Sequence, residues 1–145
     1  WMAGGTYLVV RRIEIARGDW DTLPETEQER VIGRHKPSGA PLGGRAEFDP
    51  LRIESLPADS HVRQAAPRVN EGAMILRRSY TYGDREGLVF LAYGRDPWRQ
   101  FVPVQRRLQE HDALARFTTH IGSALFAIPP GATAGSFIGA PLFSA

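Results

Sequence analysis

Histidine is the residue type in this sequence with the widest chemical scope, because the chain contains no cysteine. A neutral imidazole nitrogen can bind a metal ion or carry a proton near neutral pH. Of the four histidines, His61 lies in a charged cluster, DSHVR over residues 59–63, inside an otherwise irregular stretch. From these residues alone, His61 could be a ligand, a catalytic group or a structural residue.

The other three histidines give weaker signals. His35 ends a predicted helix, where the helix dipole favours a cation, so we expect a structural role. His111 is expected to lie in solvent between two helices, and His120, in the segment FTTHIG, keeps an ambiguous role. No two histidines have the spacing of a helical metal site, so zinc-dependent hydrolysis is not expected.

Charged residues at three further positions could act on a ligand. Arg77 and Arg78 interrupt an apolar strand. An arginine on the inner face of that strand needs an anionic partner, whereas on an edge strand both side chains could extend to water. Asp112 could equally be the N-cap of a short helix. The sequence shows neither a nucleophile-elbow serine motif nor a glycine-rich phosphate loop.

The composition excludes several classes of protein. With 42% hydrophobic residues in a chain of 145, one domain with a packed core is expected. No apolar run approaches the ~18 residues of a membrane span. Because the chain has no cysteine, disulfides, thiolate zinc sites and iron–sulfur clusters are excluded. A net charge of only +2, with arginines scattered among 16 acids, predicts no nucleic-acid partner.

Six regular elements are predicted to position these side chains. Strands rich in β-branched and aromatic residues are expected over residues 6–15, 74–82, 87–93 and 123–128. Acids at the start and bases at the end predict a helix over about 20–35. Asp96-Pro97 begins a second helix, as a cap followed by proline. A shorter helix is expected from Asp112, and a hairpin turn at Gly83-Asp84.

This order of elements predicts the ferredoxin-like split βαββαβ unit, an α+β fold with an antiparallel sheet. Both helices are expected to cover one sheet face. The other face is too apolar to stay wet, so a second domain, a partner chain or a flat apolar ligand should cover it. Residues 36–73, with five prolines and no period, predict a long loop insert that is functional or disordered. Residues 129–145 predict a tail that wraps over the surface.

Several blocks of the sequence, taken together, resemble the dye-decolourising peroxidases of the bacterial exported, deferrochelatase-like branch. In order, they are GGTYLVVRRI, EQERVIGRHK with SGAPL, SHVRQAAPR, ILRRSYTYG, GLVFLAYGRDPWRQFVPVQRRL and DALARFTTHIGSALFAIPPG. The resemblance runs from Gly4 to Gly131. It implies a peroxidase of two ferredoxin-like domains that form a dimeric α+β barrel, of which residues 1–145 are the C-terminal, haem-binding domain.

The resemblance also implies residue roles. His61 is the expected proximal ligand of the iron in haem b, with Asp112 as the carboxylate that hydrogen-bonds it and strengthens its donation. Arg77 is the expected distal arginine beside bound hydrogen peroxide, where a fixed guanidinium stabilises developing negative charge. Leu88 and Phe90 are expected to line the distal haem side, and Arg11 to reach a haem propionate.

One family motif is missing from this sequence. The family's GxxDG motif carries a distal aspartate, and the nearest match here, GDREG over 83–87, has the wrong spacing. We therefore expect a peroxidase fragment or subunit that needs an N-terminal half to oxidise bulky dye-like or phenolic substrates. Two alternatives remain. One is a standalone haem-binding or deferrochelatase-like module, in which a homodimer could bury the exposed sheet. The other is a degenerate fragment that binds nothing. Export by the twin-arginine route is expected from the family.

Overall fold

An antiparallel sheet of four strands forms the centre of the computed structural model, which describes residues 2–83 and 87–143. The spatial order β2-β3-β1-β4 is that of the ferredoxin-like split unit, so the predicted α+β fold class is confirmed. The strands are β1 (Thr6–Ile15), β2 (Leu76–Tyr82), β3 (Gly87–Gly94) and β4 (Thr118–Ile128). The turn predicted at Gly83-Asp84 falls partly outside the described residues, because Asp84 is not among them.

The helix predicted over 20–35 is wrong in its bounds. The structure has two helices there, α1 (Arg17–Asp21) and α2 (Glu25–Ile32). Pro24 separates them, because a proline disfavours helical backbone at the residue before it and is itself well placed at the start of a new helix. Gly33, with φ +91°, ends α2 in the left-handed conformation.

The expectation that both helices cover the sheet holds only for the later one, α4 (Pro97–His111). Phe101 of α4 packs on Val9 and Ala92 in the core of the sheet. The main contacts of α2 are instead with α3 (His61–Gln64) and with the 3₁₀ segment Ala113–Phe117. Helix α2 thus packs mainly on the insert and on the connection between α4 and β4.

The insert over 36–73 is ordered rather than irregular. It contains α3 and two short 3₁₀ turns, Ile53–Ser55 and Pro67–Val69. Several of its apolar side chains, Ile53, Leu56 and Ala66 among them, are buried, whereas Phe48 is exposed. In the tail, by contrast, the large apolar side chains of Phe137, Ile138 and Phe143 are exposed.

Strand β4 begins five residues before the predicted start and carries a β-bulge. It starts at Thr118 because its polar first half pairs with the end of β1, down to Ile15. The register shifts between Arg12 and Ile13, so that Ile13 pairs with His120 and Ile121 is left over. An extra residue of this kind reorients the side chains that follow it.

The sheet has two faces of different character. The cavity face carries Val9, Arg11 and Ile13 of β1 and their cross-strand partners, and α4 packs against it. The open face carries Leu8 and Val10 with their own partners. On the open face Leu76, Tyr80 and Phe126 are exposed.

Candidate functional site

A cavity of about 580 Å³ lies between the cavity face of the sheet and the helical layer. This volume is within the range of small-molecule and cofactor sites, ~300–1,000 Å³. It brings together all six residues that the sequence analysis selected, from four strands and helices and the α4–β4 connection: Arg11, His61, Arg77, Leu88, Phe90 and Asp112. Their assigned roles remain predictions.

Strand pairing explains how the sheet side chains reach this cavity. Directly opposed residues of antiparallel strands place their side chains on the same face. Leu88 and Phe90 of β3 oppose Ile13 and Arg11 of β1, so all four share the cavity face. The apolar part of the lining is completed from the helical side by Leu108 and Leu114.

The two arginines of β2 lie on opposite faces. Arg77 opposes Ala92, which belongs to the cavity face, whereas Arg78 opposes Leu91 on the open face. Because β2 is an edge strand, both arginines are exposed. Arg77 forms no hydrogen bond with any other described residue, so its guanidinium donors remain available to an anionic ligand in the cavity.

His61 and Asp112 form a close pair in the helical wall of the cavity. The His61 Nδ1 atom lies 2.6 Å from Asp112 Oδ2, and the Asp112 side chain is only 5% exposed while that of His61 is 30% exposed. Because an ionised carboxylate only accepts hydrogen bonds, Nδ1 carries the proton. In the neutral ring, Nε2 then has a free lone pair, the state in which imidazole binds a metal ion.

The local structure around Asp112 fixes this pair. Asp112 ends α4, and its other carboxylate oxygen accepts from Leu114 N at 2.9 Å, which caps the next 3₁₀ segment. Ala113 N donates to Asp59 O at 2.8 Å, which joins the segment before His61 to the segment after Asp112. Asp112 is therefore both the N-cap and the histidine partner that the sequence left as alternatives.

His120 is the cavity residue whose position sequence reasoning did not resolve. Its Nδ1 atom lies 2.6 Å from the NH1 nitrogen of Arg11. Burial lowers the pKa of His120, and the nearby positive charge of Arg11 lowers it further. Burial also lowers the pKa of Arg11. The bulge at Ile121 brings His120 onto the cavity face. Gly122, beside the bulge, is the signal that could have located it, because a glycine inside a strand often marks a bulge.

Other candidate residues lie outside the cavity. The sequence candidates His35 and His111 are not among the residues that line it, and the large aromatic side chains of Tyr80 and Trp98 are exposed. In the described part of the chain, no group of three or more histidine and carboxylate side chains is arranged to hold a metal ion. No helix there is both long and apolar enough to cross a membrane.

Comparison with known proteins identifies the family. The sequence matches the family "Dyp-type peroxidase, C-terminal" over residues 1–133, and the chain belongs to this family. It is 45% identical to a dye-decolorizing peroxidase from Thermobifida fusca, over 98% of this chain and 37% of the relative. It is 37% identical to a deferrochelatase from Escherichia coli K12, over 90% of this chain and 34% of the relative.

Solved structures agree with this assignment. The structure of ferric DtpA from Streptomyces lividans matches with a TM-score of 0.94 and 40% identity, over 100% of this chain and 44% of that protein. A DypB variant from Rhodococcus jostii in complex with heme matches with a TM-score of 0.71 and 28% identity, over 87% of this chain and 41% of that protein. The chain thus spans less than half the length of the relatives it matches.

Proposed function

We propose that this chain is the haem-binding part of a peroxidase that uses hydrogen peroxide to oxidise bulky dye-like or phenolic substrates. The observation that carries the proposal is the His61–Asp112 pair in the wall of a cavity whose sheet side holds Arg77. Family membership supports it, as do the names of the relatives, which include peroxidases and a structure in complex with heme.

The cavity suits haem b in shape and in chemistry. Its walls combine apolar side chains, Leu88, Phe90 and Leu108 among them, with polar and charged ones, as suits an apolar macrocycle that carries acidic groups. His61 is the residue here with a free imidazole lone pair, and among the described residues no group of three or more histidine and carboxylate side chains surrounds it. A metal bound there would need further ligands from a macrocycle, and haem provides them. Once bound, haem supplies the redox-active iron that reduces peroxide and withdraws electrons from the substrate.

His61 and Asp112 would act together on the proximal side. The Asp112 carboxylate accepts the Nδ1–H hydrogen bond and would orient the ring, which leaves the Nε2 lone pair available to the iron. A hydrogen-bonded carboxylate also makes the imidazole a stronger donor, and such partners tune the iron's reduction potential. Since Asp112 is nearly inaccessible to solvent, water does not compete strongly for this hydrogen bond.

Arg77 would act on the distal side, where peroxide binds. Its guanidinium projects from the sheet and has no internal partner in the described chain. A positive charge held on a strand can stabilise the negative charge that develops on the leaving oxygen when the O–O bond breaks. The distal aspartate of the family's GxxDG motif is not supplied by this sequence, so a further segment must move the peroxide proton.

We also propose that an N-terminal half covers the open face of the sheet and completes the enzyme. Three observations support it: the missing aspartate, the exposed apolar side chains of Leu76, Tyr80 and Phe126, and the 37% share of the Thermobifida relative that the chain spans. A second copy of this chain is the alternative cover, in a haem-storing or deferrochelatase-like module. Sedimentation of the haem-loaded chain separates the two, because only the alternative yields a stable homodimer. Export by the twin-arginine route is proposed from the resemblance alone.

The test is an absorption spectrum of the purified chain titrated with haemin, compared with His61→Ala. We expect a sharp Soret band that the substitution abolishes. His111→Ala is the matched control, because His111 is exposed at the end of α4 and outside the cavity, and it should leave the band unchanged. A band that is indifferent to His61→Ala would contradict the assignment of the ligand.

A further inference from the structure

We infer that Arg11 and His120 form a carboxylate-binding pair in the cavity, in which His120 is a neutral ring that donates from Nε2. The inference rests on the proposed haem function and deepens it, because it names the two residues that hold the acidic groups of the cofactor. Within the resemblance, Arg11 alone was expected to meet a propionate. His120 and its protonation state are new.

The contact between the two side chains fixes the tautomer of His120. Arg11 NH1 and His120 Nδ1 are 2.6 Å apart. A guanidinium has five N–H donors and no acceptor, so Nδ1 must be the acceptor and must carry no proton. The proton of the neutral ring is therefore on Nε2. That N–H group has no partner among the described residues, and the ring lines the cavity.

Arg11 likewise has donors to spare. Its guanidinium carbon lies 5.0 Å from the centre of the Phe101 ring, which covers one of its planar faces. Its Nε is buried and makes no hydrogen bond to any described residue. A half-buried guanidinium with unused donors is costly unless an acceptor, best of all an anion, comes to it. In the described chain no carboxylate contacts Arg11, so the acceptor is expected from the ligand.

The electrostatics agree with a neutral imidazole. The pKa of His120 is lowered from its ordinary value of 6.5 by burial first and by the charge of Arg11 second. At neutral pH the pair therefore carries the single positive charge of Arg11. It matches one carboxylate in charge and presents N–H groups from two side chains.

The position of the pair also fits acidic groups at the rim of a flat ligand. Arg11 is on β1 and His120 on the edge strand β4, whereas Arg77 is on the opposite edge strand β2. Three strand spacings separate β2 from β4, which is about 14 Å. The pair is thus a second anion site, distinct from the one at Arg77, and the bulge at Ile121 is what brings His120 into it.

The experiment compares haemin with its dimethyl ester, in which both carboxylates are blocked, in binding titrations of the full chain. His120→Phe and Arg11→Leu are each expected to raise the Kd for haemin about tenfold or more, the size of a lost charge-assisted hydrogen bond. Neither should change the Kd for the ester by more than about threefold. His120→Gln, which keeps an N–H donor, should restore most of the affinity.

Two controls make the result specific. Arg12→Leu removes a charge from the neighbouring residue of β1, on the open face over Tyr82, and should change neither Kd. In the unsubstituted apo chain, ¹⁵N chemical shifts of the imidazole should show Nε2 protonated and Nδ1 unprotonated at pH 7. This second measurement needs no variant and no haem.

The outcomes separate the two proposals. If the substitutions weaken the binding of haemin and of its ester equally, the assignment of Arg11 and His120 as a carboxylate-binding pair is wrong and the haem function stands. If His120 carries its proton on Nδ1, the pair is wrong in the same way. If the unsubstituted chain binds neither haemin nor the ester, the haem-binding proposal for this chain fails, and with it the occupant assigned to Arg11 and His120.

Discussion

At the scale of single residues, two histidines in one cavity present opposite groups to it. The Nδ1–H group of His61 donates a hydrogen bond to the carboxylate of Asp112, which leaves a lone pair on Nε2. His120 accepts at Nδ1 from Arg11, which places its proton on Nε2. The neighbour therefore decides the chemistry, because an acceptor-only partner and a donor-only partner select opposite tautomers. One ring is suited to a metal ion and the other to an anion.

The same logic predicts the effect of Asp112→Asn. Asp112 uses one oxygen for His61 and the other for Leu114 N, whereas asparagine has a single acceptor oxygen. We expect the variant to keep the cap, lose the histidine contact and raise the reduction potential of bound haem, with about a 10–100-fold loss of activity or affinity. Redox titration measures the change in reduction potential, and the iron–histidine stretching frequency in Raman spectra reports the strength of the bond to His61. An unchanged stretch would show that the carboxylate does not act on the ligand.

At the scale of elements, α4 contributes several residues to the cavity lining. Residues next to its first turn determine where it begins. Asp96 accepts from Trp98 N and Arg99 N, while Gln100 Oε1 accepts from Asp96 N in return. Gln100 also ties this end to Met74 O, next to β2. These contacts set where α4 begins, and fifteen residues of helix later the chain reaches Asp112. The Asp96 cap and Asp112 thus flank the two ends of one helix.

We expect Asp96→Ala to lower the free energy of unfolding by about 0.5–2 kcal/mol, because two backbone N–H groups lose their acceptor. Chemical denaturation measures this change. Asp96→Ser is the control, since serine retains a capping oxygen and should cost only a few tenths of a kcal/mol. If both variants lose the same stability, the carboxylate is needed for its charge rather than as a cap.

At the scale of the whole molecule, the two faces of the sheet are covered to different extents. Helix α4 packs on the cavity face, whereas the open face presents large apolar side chains to solvent. Exposed apolar patches of this kind mark interaction surfaces. The open face is continuous across all four strands, as the surface of a sheet that meets a second sheet would be.

Phe126→Arg should therefore block association with a separately expressed N-terminal half of the peroxidase. Phe126 opposes Leu8 on the open face and is 49% exposed, so a charge there should weaken binding at least about tenfold while the isolated chain stays folded. Leu125→Arg is the matched control, because Leu125 opposes Val9 on the other face and is similarly exposed. Analytical ultracentrifugation of each variant mixed with the N-terminal half measures this association. Equal losses in both variants would argue against the open face as the interface.

Local patterns in the sequence determined much of this protein. Alternation over residues 6–15 predicted β1 with its observed bounds, and Asp96-Pro97 predicted the start of α4. These signals work because strand alternation and helix caps depend on neighbours a few residues away. Pro24 is a signal of the same kind, because a proline disfavours helical backbone at the residue before it. The single helix predicted over 20–35 did not take it into account, whereas the structure has α1 and α2 on either side of it. The site residues came from blocks of sequence that resemble a family, not from periodicity.

Tertiary structure alone decided how those residues meet. His61 and Asp112 are 51 residues apart, and Arg11 and His120 are 109 apart. Such contacts depend on strand pairing and on the packing of the insert, which no local propensity encodes. The bulge at Ile121 is the clearest example. A register shift of one residue puts His120 on the opposite face from the one that unbroken strand pairing would give.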